Sequence, residues 1–433
     1  MSSLLLALAL AAAPADLVPL SPPPAAASGA SGSIDPAAAT RAYLEQLPAD
    51  QRARSDAYFE GGYWLTLWDF LWGAAVFLLL LQTGFSARMR DFAERVTQVR
   101  ALQAALYWAQ FAIAVAILSF PLSAYRDYLR EHQYGLSNLS FGGWLGEQLK
   151  GLALSVVFGA LAMMALYAVV RRLPRTWWIW GAGVAVAFVA FGALITPVFI
   201  VPIFNSPKKL EDARVVAPIL SLARANGIQA GEVWEVDASK QSKRVSANVS
   251  GLLGTERITL NDNLLNRASL PEIEAVMGHE MGHYVLNHIY KGLMEIGLVI
   301  VAGFAAVAWL FERLRRRMEG RWGVRDVADV AGLPLAALLF TTYLLVMTPV
   351  VNSIIRVQEV EADMFGLNAA RQPDGFAQSA LKLAEYRKLE PGTLEEIVFF
   401  DHPSGRARIF AAMRWKAEHP ETWGKAAANR GGR

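Results

Sequence analysis

Six apolar runs, at about 64–84, 102–122, 151–170, 177–200, 289–311 and 330–350, constrain this chain more than any other feature. Each is close to the ~20 residues a helix needs to cross a bilayer core. In that medium every backbone N–H and C=O must be satisfied inside the segment, so the runs have to be helices. With 54% hydrophobic and 18% charged residues the composition fits a polytopic membrane protein better than a soluble domain. Trp177, Trp178 and Trp180 beside Arg171, Arg172 and Arg175 mark one membrane interface. Asp69 and Glu295 fall within spans, where a carboxylate invites a functional reading. Both lie near a span end, which favours an interfacial or bundle-facing role.

The net charge of +3 is small, and its basic excess sits in short loops, which speaks for membrane topology and against nucleic-acid binding. Loop 85–100 carries Arg88, Arg90, Arg95 and Arg100, loop 171–176 three arginines, and loop 312–329 six. Strict alternation of the spans puts all three loops on one side, which the positive-inside rule makes cytoplasmic. The polar regions and loop 123–150 then face the other way. Residues 2–13 are a short apolar run ending in small residues, so 1–20 reads as a signal-like or anchor segment. Residues 14–40 are rich in Pro, Ala, Ser and Gly, and 21–60 is expected to be a linker. Residues 61–200 then hold four spans, 201–288 a catalytic region, 289–351 two spans, and 352–433 a helical C-terminal region.

Within 201–288, strand-like runs at Gly231–Val236 and Gly251–Leu260 precede a segment with a readable helix start: Ser269 as cap, Pro271 in the first turn, and Glu272 three residues after the cap. That helix carries His279-Glu280-Met281-Gly282-His283. Residues four apart share a helical face, so His279 and His283 can present two imidazoles to one metal ion. Glu280, roughly 100° around the helix, reaches a water at the metal rather than the metal itself. This is the H-E-x-x-H arrangement of zinc hydrolases. With no cysteine in the chain, a metal here must use His and carboxylate, and only six His exist. The five-residue offset of His288 from His283 leaves it off the shared face.

Catalytic zinc usually takes three protein ligands plus water. The third should be distant in sequence, and Glu359 and Asp363, four apart, are the obvious source. One can bind metal while the other accepts a hydrogen bond from a ligand imidazole. Glu361 points elsewhere, toward solvent. Zinc lowers the pKa of water from about 15.7 toward about 7, and Glu280 takes the proton. The oxyanion formed at a peptide carbonyl then needs further donors. His402 and Arg408 in Asp401-His402-Pro403-Ser404-Gly405-Arg406-Ala407-Arg408 are candidates, although spacing alone favours a structural turn with Ser404 capping a helix.

These residues resemble the Ste24-like CAAX prenyl proteases of the M48 zinc metallopeptidases, with HtpX-type membrane proteases as cousins. The resemblance runs from about residue 120 to 415. It is carried by Glu131-His132-Gln133-Tyr134-Gly135-Leu136-Ser137, Pro202-Ile203-Phe204-Asn205, Val236-Asp237-Ala238-Ser239-Lys240, the zinc motif extended through Leu286-Asn287-His288, and Glu359-Val360-Glu361-Ala362-Asp363. It implies Glu359 as third ligand, Asp363 and Arg356 in support, and His402 with Arg408 at the substrate and transition state. Ungapped from Ser239, the family's edge-strand Asn falls on Ser246, two residues from Asn248. The implied fold is mostly α: a polytopic helical bundle enclosing a chamber, with a gluzincin-like metallopeptidase region containing a small β-sheet. The expected cofactor is one Zn2+ per chain. The expected partners are peptide or protein substrates, lipid-modified ones included, and membrane lipids, in a bacterial inner membrane. CAAX-type trimming and quality-control proteolysis need the same site, and a metal-binding transporter is the rival outside enzymes. Well-known members of that family have seven spans and an active site facing the cytosol, whereas this chain has six and its arginines point the other way.

Overall fold

The computed structural model describes residues 34–250, 256–318 and 320–420. The signal-like segment 1–20 lies outside them. A short helix α1 (Pro36–Leu44) opens on Asp35, whose Oδ1 accepts from Ala37 N at 2.9 Å. Among the described residues six helices are long and apolar enough to cross a membrane: α2 (Ala49–Gln82), α4 (Arg100–Gln133), α5 (Phe141–Arg172), α6 (Trp177–Phe204), α10 (His288–Arg317) and α11 (Leu333–Ala370). An amphipathic helix α3 (Phe85–Val96) joins α2 to α4.

The spans alternate strictly. At one end the connections 83–100, 173–176 and 318–332 meet: Arg90 pairs with Asp329 at 2.7 Å, Arg325 with Glu94 at 2.6 Å, and Arg171 Nη2 donates to Arg100 O at 3.4 Å. Leu81, Val170, Trp177, Phe311, Trp322 and Leu335 pack beneath them. At the other end, Tyr58 Oη donates to Glu131 at 2.7 Å, Arg244 pairs with Glu131 at 3.1 Å, and Asn138 Nδ2 reaches Ser239 O at 2.7 Å. The polar regions gather there.

Between α6 and α10 lie β1 (Lys208–Lys209), α7 (Ala213–Ala225), β2 (Val233–Val236), β3 (Ala247–Ser250), β4 (Arg257–Asn261), α8 (Asp262–Arg267) and α9 (Leu270–Val285). The sheet order is β1-β2-β4-β3, with β2 and β4 parallel and the outer pairs antiparallel. Ile219, Ile258, Leu260, Met277 and Met281 are fully buried between sheet and helices. After α11 come α12 (Pro373–Lys382), α13 (Thr393–Phe399) and α14 (Gly405–Glu418).

Two expected boundaries differ. The linker expected over 21–60 is helical from Pro36, because Asp35 and Pro36 start α1 and the polar first turns of α2 dock on the C-terminal region. There Arg52 pairs with Glu390 and Tyr63 Oη donates to Glu395 at 2.6 Å. The expected break at 351/352 is absent: α11 runs unbroken from the membrane through Asp363. Asp69 and Glu295 face other helices, pairing with Arg126 at 2.7 Å and accepting from Gln358 Nε2 at 2.7 Å.

Candidate metal centre

Helix α9 begins as its sequence dictates, with Glu272 Oε2 accepting from Ser269 N at 2.6 Å. One turn apart on it, His279 and His283 bring their Nε2 atoms to 3.1 Å of each other. From α11, Glu359 Oε2 lies 3.3 Å from His279 Nε2, and its Oε1 3.3 Å from His283 Nε2. Three donor atoms thus meet within 4.8 Å. Small residues allow the approach. A Cβ on Gly366 would stand 2.7 Å from His279 N, one on Gly282 3.1 Å from Ala362 Cα, and one on Gly278 3.0 Å from Gly366 O.

A second layer holds each of these groups. Behind His279, Nδ1 is 2.7 Å from Asp363 Oδ1. Asp363 is gripped by Arg408, whose Nε and Nη2 donate to its two oxygens at 2.9 and 2.5 Å. Behind His283 stands His288, with the two Nδ1 atoms 2.9 Å apart. His288 Nε2 lies 3.1 Å from Glu361 Oε2, which also takes Lys291 Nζ at 2.8 Å. Across the site His402 Nε2 is 3.2 Å from Glu359 Oε2, and its Nδ1 is 2.7 Å from Asp401.

The residues fit a divalent cation. Glu359 Oε2 is buried among imidazole nitrogens and makes no directed hydrogen bond of its own. Two imidazoles and one carboxylate form a donor set that suits zinc, short of the four protein ligands of a closed structural site. The local field favours positive charge. Burial opposes protonation of His279, yet Asp363 and Glu359 outweigh it and lift that imidazole to about 10. Burial pushes the Glu280 carboxyl above its ordinary value, partly offset by His279 and His283.

The structure brings His279, Glu280, His283, Glu359, Asp363 and His402 into one neighbourhood. Arg408 stands behind Asp363, with Nε and Nη2 committed to its carboxylate. Arg356 lies further away: its Nη1 donates to Glu396 O and Phe400 O at 2.8 and 2.5 Å, pinning the segment that leads into His402. Ser404 caps α14, accepting from Ala407 N at 3.3 Å, as the capping reading of that stretch expects. Ser246 precedes β3, its N donating to Asn261 Oδ1 at 3.1 Å, and Asn248 is exposed on β3, an edge strand packed against α9. Glu361 is half-exposed but not free, being tied to His288 and Lys291. Sequence reasoning missed His288 because it continued the helix. Asn287 breaks it with φ 58°, a left-handed conformation Asn tolerates, and turns His288 back onto His283.

Comparison with known proteins gives a consistent result. The sequence pattern of "Peptidase family M48" matches residues 209–416, and that of "CAAX prenyl protease N-terminal, five membrane helices" matches 37–206. The chain is 30% identical over 336 residues to the "Uncharacterized metalloprotease YhfN" of Bacillus subtilis, covering 77% of this chain and 79% of that protein. It is 25% identical over 282 residues to a "CAAX prenyl protease 1 homolog" of Dictyostelium discoideum, and 34% identical over 175 residues to "CAAX prenyl protease 1" of Saccharomyces cerevisiae. Those two alignments span 66% and 38% of the relatives, less than two thirds of each. The crystal structure of S. mikatae Ste24p superposes with TM-score 0.73 at 22% identity, over 85% of this chain and 90% of that one, which speaks to fold.

Proposed function

The chain belongs to peptidase family M48 and is an integral-membrane metalloendopeptidase; on that premise we propose that it is a zinc enzyme, with His279, His283 and Glu359 holding the ion and Glu280 as general base. The observation that carries this reading is the meeting of three donor atoms from α9 and α11 within 4.8 Å. Bound zinc supplies Lewis acidity, polarising a peptide carbonyl and letting water give up a proton near neutral pH.

This chain's own groups do the rest. Glu280 takes the proton from the attacking water and returns it to the leaving nitrogen, work suited to a carboxyl whose pKa burial has raised. Asp363, clamped by Arg408, orients His279. Arg408 is therefore a positioning residue. His402, steered by Asp401 and 3.2 Å from Glu359 Oε2, is the group that would donate to the developing oxyanion. Among the described residues β3 is an edge strand, and its outer side, with Asn248 exposed on it and Ser246 just before it, suits an extended peptide that adds as a further strand.

The substrates in this reading are peptides or proteins, and the CAAX protease relatives support including lipid-modified ones. The broad match to a bacterial metalloprotease supports a bacterial membrane as the setting. The reading is tested by Glu280→Gln. The variant is expected to keep its zinc and to cleave peptide on the order of 10²-fold or more slowly; undiminished cleavage would refute the role. A farnesylated peptide assayed beside its unmodified twin then shows whether the lipid is recognised.

A further inference from the structure

The alternation that gathers the polar regions at one end of the bundle puts three short, arginine-rich connections at the other. The three connections at the far end, with the adjoining helix ends, carry thirteen arginines. They meet one another through Arg90–Asp329, Arg325–Glu94 and Arg171–Arg100 contacts. At the metal-centre end the short connection between α4 and α5 has only Arg126, Arg130 and Lys150 near it, matched by Asp127, Glu131 and Glu147. The segment between α6 and α10 exceeds the ~60-residue length beyond which loop charge stops directing topology. Acidic partners at the arginine end do not cancel the bias, because Asp and Glu contribute little to it.

The arginine end also has the dress of a membrane interface. Helix α3 leaves Phe85, Phe92 and Val96 exposed beside Arg88 and Arg95. Trp309 is exposed with the Arg313 guanidinium 4.3 Å above its ring.

We infer that the arginine end lies in the cytoplasm and that the metal centre opens on the opposite, exported side. The peptide segments it takes are then those of exported or membrane proteins presented from outside the cytoplasm. The substrate half of this inference rests on the peptidase reading above, while the orientation half stands on charge placement alone.

Because the full chain contains no cysteine, single cysteines report its orientation directly. Arg214, at the start of α7 on the metal-centre side, has an 89% exposed side chain, and Arg316, at the arginine end, 72%. Arg214→Cys and Arg316→Cys would be expressed in a bacterial host and treated with a membrane-impermeant maleimide, in spheroplasts and after lysis. The expected result is that Arg214→Cys reacts as fully in spheroplasts as in lysate, while Arg316→Cys reacts only after lysis. The reverse pattern would overturn the inference. Labelling needs no turnover, so failure of the peptidase chemistry, read separately with Glu280→Gln, leaves this result intact.

Discussion

His279 and His283 present the same nitrogen to Glu359 but differ in what stands behind them. Asp363 backs His279 and is itself fixed by Arg408. His283 is backed by an imidazole. If His283 uses Nε2 toward a metal, its Nδ1–H donates to His288 Nδ1, and His288 then carries its proton on Nε2, facing Glu361. The chain His283–His288–Glu361–Lys291 therefore fixes a tautomer and a ring angle. His288→Ala should weaken zinc binding about 10- to 100-fold, as loss of such partners does elsewhere. His288→Asn, whose amide oxygen can still accept from His283, should recover much of it. Chelator competition on the three proteins checks this, and identical affinities would contradict it. The spacing of His279, Glu280 and His283 was legible because all three lie on one helix. The choice between Glu359 and Asp363 was not legible from spacing alone, since both share a helical face. His288 was hidden because one αL residue at Asn287 undoes the helical count.

At the scale of elements, the centre depends on how closely α9 and α11 approach. Gly278 and Gly282 are plain in the sequence, but their purpose appears only with α11 against them. A side chain at Gly366 would meet the His279 backbone nitrogen at 2.7 Å. Gly366→Ala should therefore cost about 1–3 kcal/mol through overpacking and lower zinc occupancy. Gly62→Ala in α2, where a Cβ meets nothing within 4 Å, should leave the melting temperature and zinc content close to wild type. Equal behaviour of the two variants would remove the packing argument. The C-terminal segment is held differently. Arg356 on α11 grips the carbonyls of Glu396 and Phe400, two residues before His402. Arg356→Ala is expected to keep zinc but to lower kcat as His402 loses its placement; a fall in zinc content with unchanged kcat per zinc would argue against that role.

The whole molecule was legible where physics allows few answers. Apolar runs of spanning length have to be helices in lipid, and six of them appear among the described residues, with a small sheet between the fourth and fifth. Composition misled over 36–60, where Ala- and Pro-rich sequence suggested a linker. A single Asp–Pro cap starts that stretch as helix, and long-range partners such as Asp374 for Tyr43 and Glu390 for Arg52 hold it. The join between membrane and catalytic region was equally invisible, because α11 passes from apolar to charged residues with no change of backbone. That continuity places Glu359 on a helix anchored in the bundle and pointed at α9. The proposed metal centre depends on this convergence. Elemental analysis of the purified full chain and of Glu359→Ala tests it most directly. The expected result is about one zinc per wild-type chain and loss of that zinc from a variant that still unfolds cooperatively; a wild type without stoichiometric metal, or a Glu359→Ala protein that keeps it, would rule out Glu359 as the third ligand of a zinc centre.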